Sequence, residues 1–244
     1  MSRFDEADDP RRRLLIKALA AGAFAAALPD KAALAASIFG TPPSKLPPGQ
    51  SIYRLNGAVT VNGKDANLST VIKPNDTVET GPKSEIVFVV GGNSMIMREN
   101  SHLTLEGKEE QESFLIHGLR LLSGKLLSVS RSQGTRIRTS TATIGIRGTG
   151  YYIEADPQQT YFCTCYGITD VESNNDPTSK DTVKATHHDK PLYILGGESA
   201  GNNIRRAGFI NHTDQELMLI ETLVGRTPPF VFAGDQYSAP RRGY

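Results

Sequence analysis

The sequence of 244 residues predicts an all-β domain with a small C-terminal appendage that contains one helix. From residue 52 onwards, short apolar or alternating runs recur, and each closes with a glycine, an asparagine or a proline. No helix-length hydrophobic period interrupts these runs before residue 213. Many short strands at such spacing are typical of a β-sandwich, a roll or a short β-solenoid.

The first 35 residues have the pattern of a cleavable export signal. Three arginines, Arg11 to Arg13, precede an apolar run at 18–28, and the small-residue pattern Ala33-Leu34-Ala35 follows. The apolar run is well short of the ~20 residues that span a bilayer, so we expect cleavage near Ala35 rather than a membrane anchor. The order Arg12-Arg13-x-Leu15-Ile16-Lys17 is similar to the twin-arginine export pattern.

Composition restricts the class of partner. The formal net charge is +1, and neither a basic stripe nor a polybasic cluster occurs, so we expect no nucleic acid and no anionic membrane surface as a partner. After signal cleavage we expect a periplasmic protein without stable membrane insertion. Its partner would be a protein or a cell-envelope component.

The rest of the chain divides by composition. Residues 36–50 contain four prolines and form a predicted linker. The strand-like runs occupy residues 51–172, and the stretch 173–183, rich in Asn, Asp and Ser, is predicted to be an exposed loop. The appendage covers residues 184–230, and residues 231–244 are predicted to be a tail.

The strand-like runs share an apolar or alternating character. The clearest turn signal is Asn62-Gly63, because both central positions of a type I′ turn need positive φ. The runs lie at residues 58–61, 70–72, 86–90, 94–97, 102–105, 114–116, 124–129, 135–139, 151–153 and 160–163.

The helix of the appendage is predicted at residues 214–224. Thr213 and Glu216 form a capping box, in which each side chain can bond the backbone of the other residue. Leu217 and Ile220 follow at helical spacing, and Gly225 ends the helix.

Several segments of the β region resemble the FecR domain family, a periplasmic domain of regulators of iron-siderophore uptake. Gly57-x-Val59-x-Val61-Asn62-Gly63 is similar to its opening strand and turn. The segment at 76–84 is similar to its conserved threonine-glycine stretch, and Gly92-Asn93-Ser94 to its next turn. Thr139 to Thr149, with Ile146-Arg147-Gly148-Thr149, resembles its most specific signature. The resemblance covers residues 52–171.

The resemblance implies a FecR-like β fold in an exported stand-alone protein. It also implies a non-enzymatic function in which the protein binds another protein or an envelope component, with a role in signalling. The membrane-spanning sigma-regulator role is not expected, because no transmembrane helix precedes the domain in this sequence. A structural envelope module without a discrete ligand is a further alternative.

The segment Gly145 to Gly150 lacks the spacing of a P-loop or a dinucleotide-binding motif. We interpret Arg147, Gly148 and Thr149 as a structural motif. Its glycines would permit a corner between strands, and Arg147 would bond carbonyls or a carboxylate. We therefore expect Arg147→Ala to lower the melting temperature.

Two cysteines, Cys163 and Cys165, lie two positions apart and therefore on one face of a predicted strand. They could be buried free thiols, a strained disulfide that bends the strand, or two ligands of a metal. His187, His188 and His212, all in the appendage, are the candidate nitrogen ligands for zinc or copper. Such a site would tie the appendage to the β domain. No nucleophile motif accompanies these histidines, so we expect no enzyme activity and no other cofactor.

Overall fold

One branched, largely antiparallel β-sheet forms the frame of the protein. The structure is a computed structural model that describes residues 43–111, 113–197 and 200–230. The predicted export signal, the predicted linker up to residue 42 and the predicted tail lie outside these residues. Within them, no helix has the length and the apolar character that a membrane span requires.

The described residues contain a 14-stranded sheet and one helix. The elements are β1 (Ile52–Asn56), β2 (Val59–Val61), β3 (Lys64–Asp65), β4 (Thr77–Thr80), β5 (Glu85–Val90), β6 (Asn93–Met97), β7 (His102–Glu109), β8 (Phe114–Val129), β9 (Gln133–Arg138), β10 (Ala142–Ala155), β11 (Gln159–Ser173), β12 (Asp176–Ala185), β13 (Leu192–Leu195), β14 (Ile204–Arg206) and α1 (Asp214–Leu223).

The prediction of a mostly β protein with one helix near the C terminus is confirmed. The sheet is open, in the order β14-β13-β11-β10-β9-β8-β7-β4-β2-β3. A branch of β6, β5 and β1 joins it at β8, and β12 pairs with β11. The central strands are longer than expected, with 16 residues in β8, 14 in β10 and 15 in β11.

Long strands that change partners produce the branch. The first half of β8 pairs with β7 and, in parallel, with β9, whereas its second half pairs with β6 and β10. Gly124 lies where the partners change and has a φ of 91°. A Cβ at this position would lie 2.1 Å from the Ser101 hydroxyl oxygen, so only glycine fits.

The middle of the sheet is buried on both faces. Tyr151 and Ile153 of β10 face a large inner core, and Tyr152 between them faces the opposite side, where α1 packs. Fully burying one such apolar side chain contributes about 1.5–3 kcal/mol. The cluster beneath the helix, called the outer cluster below, contains Val87, Ile96, Leu127, Val129, Tyr152, Tyr161, Cys163, Cys165, Tyr166, Leu217, Ile220 and Leu223.

The helix has the predicted capping box. The Glu216 N–H donates to the Thr213 hydroxyl at 3.3 Å, and the Thr213 N–H donates to the Glu216 carboxylate at 3.0 Å. The helix ends at Leu223, and Gly225 adopts a φ of 71°. Buried residues Leu217, Ile220 and Leu223 point to the sheet, as their spacing predicts.

The prediction of an exposed loop at residues 173–183 is wrong, because β12 begins at Asp176 and forms a hairpin with β11. Lys180, Thr182 and Lys184 point outward, whereas Asp176, Ser179, Val183 and Ala185 are buried. The strand expected at 70–72 is also absent. Ile72 is buried in irregular structure, where its N–H donates to the Ser51 hydroxyl at 3.0 Å.

The C-terminal residues extend the sheet. β13 pairs with the first part of β11, and β14 pairs with β13. The following chain then crosses to the opposite face of β11 and enters α1, which packs in the outer cluster. This path brings the histidines of the C-terminal region over the two cysteines.

Candidate functional site

The two cysteines lie side by side on β11, beneath the C-terminal chain. Because side chains alternate along a strand, Cys163 and Cys165 both project into the outer cluster. Both are free thiols with no exposed surface.

Two histidines reach these thiols from separate segments. His188 follows β12 with a φ of 54°, and its N–H donates to the Cys165 carbonyl at 2.9 Å. Its Nδ1 lies 3.5 Å from the Cys163 sulfur. His212 directly precedes the helix cap, and its Nε2 lies 3.4 Å from the Cys165 sulfur and 3.2 Å from Nδ1 of His188. All four donor atoms lie within 4.8 Å of one another.

The outer nitrogen of each ring has an acceptor. Nδ1 of His212 donates to the Ile210 carbonyl at 2.7 Å, because a carbonyl oxygen can only accept. Nε2 of His188 lies 2.9 Å from the Asp214 carboxylate and donates to it for the same reason. In the neutral rings, the lone pairs of Nδ1 of His188 and Nε2 of His212 therefore point into the cluster.

Of the five predicted ligand candidates, the structure brings four together and leaves His187 outside. Nε2 of His187 lies 2.9 Å from the other oxygen of Asp214, and its side chain is 49% exposed. Asp214 thus contacts both His187 and His188, and sequence reasoning missed it. Its position two residues after His212, at the start of the helix, is the signal that could have identified it.

The electrostatics of the cluster favour separated charges. Burial opposes ionisation of Cys163, but its contacts with Cys165, His188 and His212 hold the pKa of this thiol well below its usual value. Burial and the neighbouring Cys163 raise the pKa of Cys165. Burial opposes protonation of His188, yet the Asp214 carboxylate and Cys163 raise its pKa to about 9. These shifts favour a Cys163 thiolate beside a protonated His188.

Cys163, His188 and Asp214 are aligned in the order of a nucleophile, a base and an orienting acid. However, Cys163 has no exposed surface in this arrangement. Aromatic rings pack around the histidines: Phe209 lies 4.2 Å from His188 and Tyr152 lies 4.5 Å from His212, measured between ring centroids. This burial argues against nucleophilic catalysis. Two thiols and two imidazoles also form a donor set for a transition metal.

The Arg147 motif lies elsewhere, on the exposed face of β10. Arg147 donates to the Asp170 carboxylate at 2.6 Å through one contact, and both side chains are about half exposed, 51% and 49%. Gly148 has a φ of 65° at an irregularity in the pairing of β10 with β11, and Thr149 is buried. Because exposed ion pairs contribute about 0–1 kcal/mol, the loss of Arg147 should affect stability little.

Comparison with known proteins finds a family match within the β region. The family model described as FecR protein matches residues 76–167, from the start of β4 to the middle of β11. A comparison with curated protein sequences finds no match.

Two similar solved structures come from Parabacteroides distasonis ATCC 8503, and each is a protein provisionally assigned as an anti-sigma factor. One, solved at 1.65 Å resolution, has a TM-score of 0.42 and 9% identity over 60% of this chain and 74% of its own. The other, solved at 2.50 Å resolution, has a TM-score of 0.32 and 12% identity over 68% of this chain and 74% of its own.

Proposed function

We propose that this chain is a non-enzymatic periplasmic protein that acts in signalling by binding another protein. The observation that carries this proposal is the match of residues 76–167 to the family model described as FecR protein, a resemblance that implies a role in signalling. The export-signal pattern at Arg12-Arg13 supports the periplasmic placement. The complete burial of the Cys163 thiol supports a function without catalysis.

We assign the contact surface to the exposed face of β8, β9 and β10. Paired positions on these strands place Arg120 beside Arg138, and Arg136 is exposed on the same side of β9. Glu106 of β7 bridges Arg138 at 2.9 Å and Arg120 at 3.5 Å. Leu122, beside Arg120 and Arg138, is 49% exposed. These three residues line an open cleft of about 400 Å³.

This surface has the chemistry of a protein interface. Arginine is enriched at such interfaces, where its guanidinium pairs with carboxylates, and an exposed leucine adds apolar area. Around the cleft, Arg120, Arg136 and Arg138 outnumber Glu106, which leaves an excess of positive charge there. The expected partner is therefore a protein with an acidic surface.

Site-specific photo-crosslinking in the native periplasm tests this assignment. A photoreactive residue at Leu122 should yield one discrete protein adduct, and the double charge reversal Arg120→Glu with Arg138→Glu should abolish it. The matched control carries the same group at Lys64, an exposed position of β3 far from this face along the sheet order. Adduct formation at Lys64 equal to that at Leu122, or none at Leu122, would contradict the assignment.

Fractionation tests the placement separately. The full chain should appear in the periplasmic fraction with the mass of a protein cleaved near Ala35. Arg12→Lys with Arg13→Lys should leave the uncleaved chain in the cytoplasm. Retention of the wild-type chain in the cytoplasm at full length would contradict the periplasmic proposal.

A further inference from the structure

We propose that Cys163, Cys165, His188 and His212 bind one transition-metal ion, with Zn²⁺ as the ion that fits the donor set. The proposal stands apart from partner binding, because these residues lie on the face of the sheet that α1 covers. Two sulfur and two nitrogen donors are a recurrent ligand set of structural zinc sites.

The distances match those of a tetrahedral site. Zinc bonds of ~2.3 Å to sulfur and ~2.05 Å to nitrogen, at tetrahedral angles, separate a sulfur from a nitrogen by about 3.6 Å and two nitrogens by about 3.3 Å. The structure has 3.5 and 3.4 Å for the two sulfur–nitrogen pairs, and 3.2 Å for the nitrogen pair. Three of the six donor–donor distances therefore match a tetrahedral site, and the other three are within 4.8 Å.

The contacts outside the cluster are those expected around a metal. Ligating histidines usually donate their second N–H to a carboxylate or a carbonyl, which fixes the ring and its tautomer. His188 donates to Asp214, and His212 donates to the Ile210 carbonyl. The two inward nitrogens lie only 3.2 Å apart. Metal binding would displace the proton from Nδ1 of His188, so that both inward nitrogens could ligate the ion.

The burial of the four side chains favours a set of metal ligands over a pair of reactive thiols. Cys163, Cys165 and His212 have no exposed surface, and the side chain of His188 is 7% exposed. A closed site without an open position is typical of structural zinc. The ion would link β11 to the turn after β12 and to the segment that enters α1. It would thereby fasten the C-terminal chain over the outer cluster.

Metal analysis of the full chain, purified from the periplasm without a histidine tag, tests the site. We expect stoichiometric zinc, and Co²⁺ added to the metal-free protein should give the thiolate charge-transfer and intense d–d bands of a tetrahedral sulfur site. Cys163→Ser should abolish stoichiometric binding. His187→Ala is the matched control and should retain it, because His187 contacts Asp214 and not the thiols.

Because Cys163→Ser could fail to fold, the cobalt spectrum of the wild-type chain provides a measurement that needs no variant. A wild-type chain that is free of metal after purification and shows no tetrahedral cobalt spectrum would overturn the proposal. Binding that survives Cys163→Ser with Cys165→Ser would overturn it as well, because the thiols would then not be ligands. Partner crosslinking from Leu122 is scored separately, so each proposal can fail alone.

Discussion

The Asp214 carboxylate lies 2.9 Å from Nε2 of His188, so the first residue of helix α1 orients the ring that reaches Cys163. His212, on the other side of the helix cap, reaches Cys165. The start of the helix and the thiol–imidazole cluster are thus one structural unit. A substitution at the start of the helix should therefore alter the cluster, and a substitution in the cluster should alter the start of the helix.

Asp214→Asn should weaken zinc binding by about 10–100-fold, the usual effect of losing a partner that orients a ligating histidine. The amide keeps the size of the side chain but loses the charge that polarises His188. Competition with a chromophoric chelator measures the affinity. His187→Ala provides the control, since it removes a neighbour of Asp214 and of the His188 ring but leaves the four donor atoms and the Asp214 carboxylate in place. Equal affinities for wild type and Asp214→Asn would contradict the orienting role.

Removal of the metal should loosen α1 and the chain that leads into it. The ion would hold this segment to β11, whereas the inner core has its own contacts on the other face of the sheet. Hydrogen exchange followed by mass spectrometry should show faster exchange at 207–224 in the metal-free protein. Amides of β4 and β7, which contribute no residue to the outer cluster, act as the internal control and should change little. A uniform change across the sheet would count against a local fastening role.

Glu221→Gln should destabilise the protein by about 2 kcal/mol, because a neutral amide replaces a buried carboxylate that accepts charge-assisted hydrogen bonds. Glu221 has no exposed surface, and it accepts hydrogen bonds from Arg131 at 2.9 Å, from Arg226 at 2.6 Å and from the Tyr166 hydroxyl. Urea unfolding followed by circular dichroism measures the loss.

A surface pair provides the matched control for Glu221. Glu172 lies 3.3 Å from Lys180, and both side chains are more than 40% exposed. Glu172→Gln should therefore change the free energy of unfolding by less than about 1 kcal/mol. Equal losses for the two variants would show that burial of Glu221 does not strengthen its network.

The sequence predicted most strands because alternation is a local property, but strand length depends on distant partners. Gly118 and Gly124 interrupt the pattern of β8, yet the strand continues through both because different neighbours hold its two halves. The polar composition of β12 predicted a loop, although the segment is an edge strand. Only its inward positions, such as Ser179 and Val183, are buried.

The candidate site, like the fold, could be predicted only in part from the sequence. Spacing alone placed Cys163 and Cys165 on one face, and residue type alone named the histidines. The choice of His188 over His187 depends on the backbone turn at His188, whose φ is 54°. Asp214 reaches the cluster only because α1 docks on the sheet, which no local pattern reveals. Tertiary docking therefore accounts for what the sequence could not predict.

Asp176 should contribute stability that is lost in acid. Hydrogen bonds from the Ser179 hydroxyl at 2.6 Å, from Thr178 and from the Gly201 N–H at 2.6 Å hold the pKa of this carboxyl far below its usual value. A folded-state pKa below the unfolded value of ~3.9 means that the stabilisation is complete above that pH and declines as the pH falls towards the folded-state pKa.

Asp176→Asn should accordingly lower the melting temperature at neutral pH and flatten its decline below about pH 4, because the variant has no carboxyl to protonate. Thermal unfolding across the acid range measures both effects. Asp156→Asn is the comparison, since Asp156 accepts only local backbone bonds from Gln158 at 3.1 Å and Gln159 at 3.0 Å. If wild type and Asp176→Asn lose stability in parallel on acidification, the carboxylate of Asp176 does not fasten the β11–β12 hairpin to the turn at Gly201.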